Sequence, residues 1–137
     1  MRVFFDTSAF YALASQTDIH HQAAKAFYEE AFVNTEEIQF VTSSYILVES
    51  FALIQNRLGF SVLKKFAQSI QGFVNIIWVG QEEHEFAWKF LLTRKDKNVS
   101  FVDCVSFILM KREGISTAFS FDSDFKIEGF KLVPEQS

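Results

Sequence analysis

Cysteine, proline and basic charge are all scarce in this chain, and each shortage removes a class of protein. The one cysteine, Cys104, excludes an intramolecular disulfide framework and suits a reducing compartment. It stands beside Asp103 in an apolar run, which reads as a buried small hydrophobe and not a nucleophile. The one proline, Pro134, lies near the C-terminus, and no Pro/Gly linker, low-complexity tract or internal repeat divides the 137 residues. No apolar stretch approaches the ~20 residues of a membrane span. The N-terminus runs straight into a strand-like segment with an acid at position 6, unlike a signal peptide. The expectation is one soluble, cytoplasmic domain over residues 1–137. A net charge of -4 excludes the broad basic face that drives tight non-specific binding to nucleic acid.

What is abundant is phenylalanine, with 18 copies, in a chain that is 49% hydrophobic and so not disordered. Two readings stay open: a phenylalanine-rich core, or some rings covering a subunit or partner interface.

Arg2 to Phe5 reads as a short buried strand, and Thr7 or Ser8 can cap a helix over Ala9 to Ala14. Thr17 or Asp18 is a cap for a helix through about Phe32. Gln39 to Thr42 is a second strand, and helices follow over Tyr45 to Leu58, ended by Gly59, and Ser61 to Ile70, ended by Gly72. Phe73 to Val79 is β-like, Gln81 to Leu92 helical, and Thr93 to Val99 a polar, partly basic loop. A helix over Phe101 to Arg112 stops at Glu113-Gly114. Strands over Ser116 to Ser120 and Phe130 to Val133 complete the pattern. Alternation of this kind predicts an α/β fold: a doubly wound, mainly parallel sheet of four to five strands with helices on both faces. Ligands in such folds sit beyond the carboxyl ends of the strands.

Asp6 and Asp122 fall at those ends, and Asp103 opens a helix. Each of the three has an ordinary reading as a cap or turn residue. Glu49 is harder to explain that way. Its helical neighbours at i-4, i-3, i+3 and i+4 are Tyr45, Ile46, Ala52 and Leu53, so it reads as a carboxylate on an apolar stripe. Ser50, Gln55 and Arg57 carry the polar side. A buried charge needs a partner, and a cluster of carboxylates repels itself unless a cation fills it. Oxygen ligands without histidine or cysteine at ligand spacing suit Mg²⁺ or Mn²⁺. His20, His21 and His84 lack zinc-site spacing and read as structural or solvated. Setting Asp6, Glu49, Asp103, Asp122 and Asp124 aside as a metal-filled cluster turns the charge balance from -4 to +1, which leaves room for an RNA substrate.

Phe5-Asp6-Thr7-Ser8-Ala9, Ile46-Leu47-Val48-Glu49-Ser50 and the run from Val99 to Phe125 (VSFVDCVSFILMKREGISTAFSFDSDF) resemble PIN-domain proteins. Among these the chain is similar to the small VapC-type toxins of toxin–antitoxin pairs, and the likeness spans nearly its full length. Asp18, His21 and Ala24 match a less specific pattern. The resemblance implies a Mg²⁺- or Mn²⁺-dependent endoribonuclease that leaves a 5′-phosphate and a 3′-hydroxyl. It implies metal roles for Asp6, Glu49, Asp103 and Asp122, with Asp124 as a fifth acid and Thr7 and Ser120 as supporting polar groups. It also implies a cognate antitoxin partner and a homodimer. Arg94, Lys95 and Lys97, in the loop before Asp103, are candidates for contacts with RNA phosphates, against the plain reading of a solvated turn. A receiver domain would need an aspartate after the third strand, where Trp78-Val79-Gly80-Gln81 has none. An aspartate-nucleophile phosphatase would need an aspartate where Ser8 stands. A non-catalytic module whose acids dock a basic peptide is the remaining alternative.

Overall fold

The computed structural model describes residues 1–34, 37–95 and 98–136. In chain order the elements are β1 (Arg2–Phe5), α1 (Thr7–Ala14), α2 (His21–Val33), β2 (Gln39–Ser43), α3 (Ser44–Leu58) and α4 (Phe60–Ile70). There follow β3 (Val74–Ile77), α5 (Gln81–Thr93), α6 (Phe101–Glu113), β4 (Thr117–Phe119), α7 (Asp124–Ile127) and β5 (Lys131–Val133). The five strands form one sheet in the order β3-β2-β1-β4-β5, and every neighbouring pair is parallel. Among the described residues no helix is long and apolar enough to cross a membrane.

The strand order explains the position of the acids. From β1 the chain steps through β2 to β3 in one direction, then crosses back to β4 and on to β5 in the other. Right-handed crossovers put the helices of the first half on one face and α5–α6 on the opposite face. The direction reverses between β1 and β4, and a crevice opens there at the carboxyl edge. Asp6 leaves β1 and Ser120 leaves β4 at that point, and the Asp6 N–H donates to the Phe119 carbonyl at 3.0 Å.

The central strands are buried as whole runs, as expected where helices cover both faces. Val3, Phe4 and Phe5 of β1 and Ala118 and Phe119 of β4 are all buried. Nine of the eighteen phenylalanines are buried, so the core reading accounts for half of them. Phe5 stacks on Phe10 with centroids 3.9 Å apart, and Phe119 packs against Phe5 at 4.6 Å and Phe27 at 4.8 Å. Phe32, Phe60, Phe73 and Phe86 are exposed and stay available for an interface.

Two local expectations need correction. Neither Thr7 nor Ser8 caps α1. Asp6 does, its carboxylate accepting from the Ser8 N–H. Nor does Thr17 or Asp18 cap α2, which starts at His21. The Asp18 carboxylate instead accepts the His20 N–H at 2.8 Å and closes a turn before the helix. The single-turn α7 has no counterpart in the sequence pattern, because four residues carry no periodicity. The stop of α6 is as expected: Gly114 takes the left-handed φ of 67° that L side chains resist.

Candidate metal centre

Each acid reaches the crevice for a local reason. Asp6 is there because β1 ends at Phe5 and the carboxylate caps α1. Asp103 is held in the first turn of α6, whose N-cap Ser100 accepts the Asp103 N–H at 3.0 Å. Asp122 and Asp124 sit on the tight passage from β4 into α7, where the Asp122 carboxylate accepts the Asp124 N–H at 2.9 Å. The capping and turn readings of these acids are therefore correct, and they are also how the acids are aimed.

Asp103, Asp122 and Asp124, all half-buried, each bring a carboxylate oxygen to within 4.8 Å of the others'. Asp6 lies outside that trio and is 3% exposed. Its Oδ2 accepts the Ser8 hydroxyl at 2.8 Å and the Ser120 hydroxyl at 2.8 Å. Burial holds the Asp6 carboxyl above its ordinary range, against the pull of these hydrogen bonds. The Asp103 carboxyl is pushed up to about 7, by burial first and then by the charges of Asp6, Asp122 and Glu49. That electrostatic signature belongs to a group of carboxylates crowded around one point. Three carboxylate oxygens at such spacing, beside a fourth and a fifth acid, fit a hard divalent cation, which takes oxygen ligands and cancels the repulsion.

Glu49 requires a correction. It is exposed, with Ala52 exposed and Leu53 half-buried beside it, so it does not sit on a buried stripe. The buried line of α3 is Ile46, Ser50 and Ile54, and Ser50, read from sequence as solvated, is inside. Glu49 instead faces an open cleft of about 540 Å³ with Thr7, Ala52, Leu53 and Asn56. Its Oε1 accepts the Thr7 hydroxyl at 2.6 Å, and the buried Ser50 hydroxyl donates to Thr7 at 3.4 Å. The i±3 and i±4 neighbours misled because this side of α3 borders the open cleft and is left uncovered.

Ser120, fully buried, both donates to Asp6 and accepts the Asp122 N–H at 3.0 Å. Gln136 donates to the Ser120 carbonyl at 2.8 Å. Arg94 pairs with Glu128 at 2.8 Å, and Lys111 joins that carboxylate at 3.3 Å, so the arginine is anchored to the end of α7. Lys97 lies outside the described residues. The histidines are structural: His20 stacks on Phe121 at 4.3 Å, His21 Nδ1 meets the Ala12 carbonyl at 2.7 Å, and His84 hydrogen-bonds Tyr45. Sequence reading passed over Ser8 as anything more than a cap. The D-x-S spacing was the available signal, since a serine two residues after an aspartate can return its hydroxyl to that carboxylate.

The PIN domain model matches residues 3–130. The chain belongs to the PIN-domain family. This PIN domain is 31% identical over 132 residues to the 23S rRNA-specific endonuclease VapC20 of Mycobacterium tuberculosis, covering 96% of this chain and 97% of that one. The crystal structure of the M. tuberculosis VapC20, described as a Sarcin-Ricin loop cleaving toxin, superposes with a TM-score of 0.82 at 30% identity, over 93% of this chain and 95% of that chain. VapBC2 from Rickettsia felis, solved on a DNA fragment from its promoter, shares the fold with a TM-score of 0.71 at 13% identity, over 96% and 97% of the two chains. The α/β fold with its all-parallel five-stranded sheet is thus the PIN fold, a nuclease fold, as the sequence resemblance implied.

Proposed function

We propose that this PIN domain is a divalent-metal-dependent endoribonuclease and the toxin of a toxin–antitoxin pair. The observation that carries the proposal is the meeting of Asp103, Asp122 and Asp124 oxygens within 4.8 Å at the edge where Asp6 leaves β1. The donor set is all carboxylate, which favours Mg²⁺ or Mn²⁺. Asp103, Asp122 and Asp124 would hold the ion, with Asp6 and Glu49 as ligands or as holders of its water. Such an ion, when bound, supplies a nucleophilic water at neutral pH and offsets charge on the departing oxygen.

The protein's own groups do the rest. Burial and the charges of Asp6, Asp122 and Glu49 raise the proton affinity of Asp103, and a bound cation would favour its ionised form. Thr7 fixes the Glu49 carboxylate at the cleft mouth, and Ser120 fixes Asp6. Lys95 is exposed in the loop before α6 and meets a substrate phosphate in this proposal. Arg94, turned to Glu128, ties the C-cap of α5 to the end of α7.

The named substrate of VapC20 makes 23S rRNA the first RNA to test. The antitoxin is the expected protein partner, and an apolar groove of about 690 Å³ lined by Leu13, Tyr28, Leu58, Val62, Phe66 and Ile70 can take an amphipathic segment of it. A homodimer is proposed through exposed aromatic surface, which includes Trp78, Phe86 and Trp88. Asp6→Asn and Asp103→Asn should each keep the fold and abolish Mg²⁺-dependent RNA cleavage in a contaminant-controlled assay. Unchanged cleavage in both variants overturns the site. A wild-type protein that binds its partner and never cleaves RNA would instead be a docking module.

A further inference from the structure

Asp6 carries more hydrogen bonds than its role as a cap requires, and their directions are fixed by what surrounds them. Ser8 Oγ lies 2.8 Å from Asp6 Oδ2 and accepts the Phe121 N–H at 2.9 Å. Ser120 Oγ lies 2.8 Å from the same Oδ2 and accepts the Asp122 N–H at 3.0 Å. A hydroxyl has one proton, and an ionised carboxylate can only accept. Both serine–carboxylate contacts therefore have the serine as donor, and both hydroxyl protons point at Asp6 Oδ2. The Ser8–Ser120 contact of 3.2 Å then joins two donors to one acceptor and carries no hydrogen bond of its own. The Ser8 N–H adds a third, longer contact to Oδ2 at 3.4 Å.

Ser8 thus does two things across 113 residues of chain. It fills one oxygen of Asp6, and it fixes the start of the segment that carries Asp122 and Asp124. We propose that Ser8 is a positioning residue that holds the Asp6 carboxylate in the orientation a cation would meet and sets its register against Asp122. This rests on the metal-dependent reading of the site. The effect of Ser8 passes through Asp6 and the Phe121 N–H. Partners of this kind, which orient the groups that bind a metal, are typically worth about 10–100-fold in metal affinity.

The test measures Mn²⁺ binding to the full chain by calorimetry, without RNA, for the wild type, Ser8→Ala and Ser8→Thr. Circular dichroism and the thermal midpoint establish that each variant is folded at the temperature used. The expected result is an affinity about 10-fold or more weaker for Ser8→Ala and largely restored by Ser8→Thr, which keeps the hydroxyl. Equal affinity in folded Ser8→Ala and wild type overturns the inference. So does a loss of stability in Ser8→Ala without any loss of Mn²⁺ affinity. If wild type itself binds no Mn²⁺, the metal reading fails, and the inference falls with it. If Ser8→Thr does not fold, Ser8→Ala against wild type decides.

Discussion

At the scale of single residues, Asp103 reports the physics of the site. Its carboxyl is raised to about 7 by burial and by Asp6, Asp122 and Glu49. The folded protein therefore holds a proton there that the unfolded chain releases near the ordinary pKa of 3.8. Between about pH 4 and pH 7 the folded state binds more protons than the unfolded one, so this group's contribution to stability falls as pH rises. Asp6, also raised, acts in the same direction. Metal-free protein should accordingly lose thermal stability across that window, and Asp103→Asn should flatten the loss, as a series of melts from pH 4.5 to 8 would reveal. A steeper decline in the variant would contradict the assignment. Protons also compete with the cation, so Mn²⁺ affinity should weaken by up to about tenfold per unit below pH 7. Asp6, Asp103 and Asp122 were legible in the sequence because caps and turns at strand ends are local features. Glu49 reaches the cleft for a reason other than a buried stripe, since which side of α3 faces an open cleft depends on packing that residues 45–53 do not encode by themselves. Ser8 was passed over because its second bond, to the Phe121 N–H, is made across the whole chain.

At the scale of elements, each helix that carries an acid has a separate local device to hold it. Asp6 caps α1, Ser100 caps α6, and Ser43 caps α3 by accepting the Ile46 N–H at 3.1 Å. The short α7 has no cap bond from its N-cap Ser123; the Asp122 carboxylate holds the Asp124 N–H at its start, and its far end is tied separately. There Glu128 is bracketed by Arg94 and Lys111, with its side chain 12% exposed. Four residues of helix have little stability of their own, so that bracket acts with the buried Phe125 to fix where α7 lies. Glu128→Ala leaves Arg94 nearly buried without its partner and should cost about 1–3 kcal/mol, read from chemical denaturation. A variant as stable as wild type would show the bracket to be decoration. The sequence could not supply this arrangement, because Arg94 and Glu128 are 34 positions apart and the loop reads simply as basic. The strands and the long helices were legible to within a few residues, since their apolar periodicity and the glycine stops at Gly59, Gly72 and Gly114 are written locally.

At the scale of the whole molecule, the reversal of strand order between β1 and β4 makes one site from distant acids. The same architecture leaves Trp78, Phe86, Trp88 and Leu92 more than half exposed, on and just before α5. A second copy covering that surface should give a mass near twice 15.8 kDa by light scattering, and Trp88→Glu should shift the population toward monomer. A wild-type mass of one chain would contradict the homodimer. The central claim is that the gathered acids cut RNA with a divalent cation. It is tested most directly by incubating 23S rRNA with the full chain in EDTA, then with Mg²⁺ or Mn²⁺ restored, and mapping the new ends. Cuts bearing 5′-phosphates should appear only with the metal and vanish in Asp103→Asn. Cleavage that persists in EDTA, or in Asp103→Asn at the wild-type rate, would contradict it.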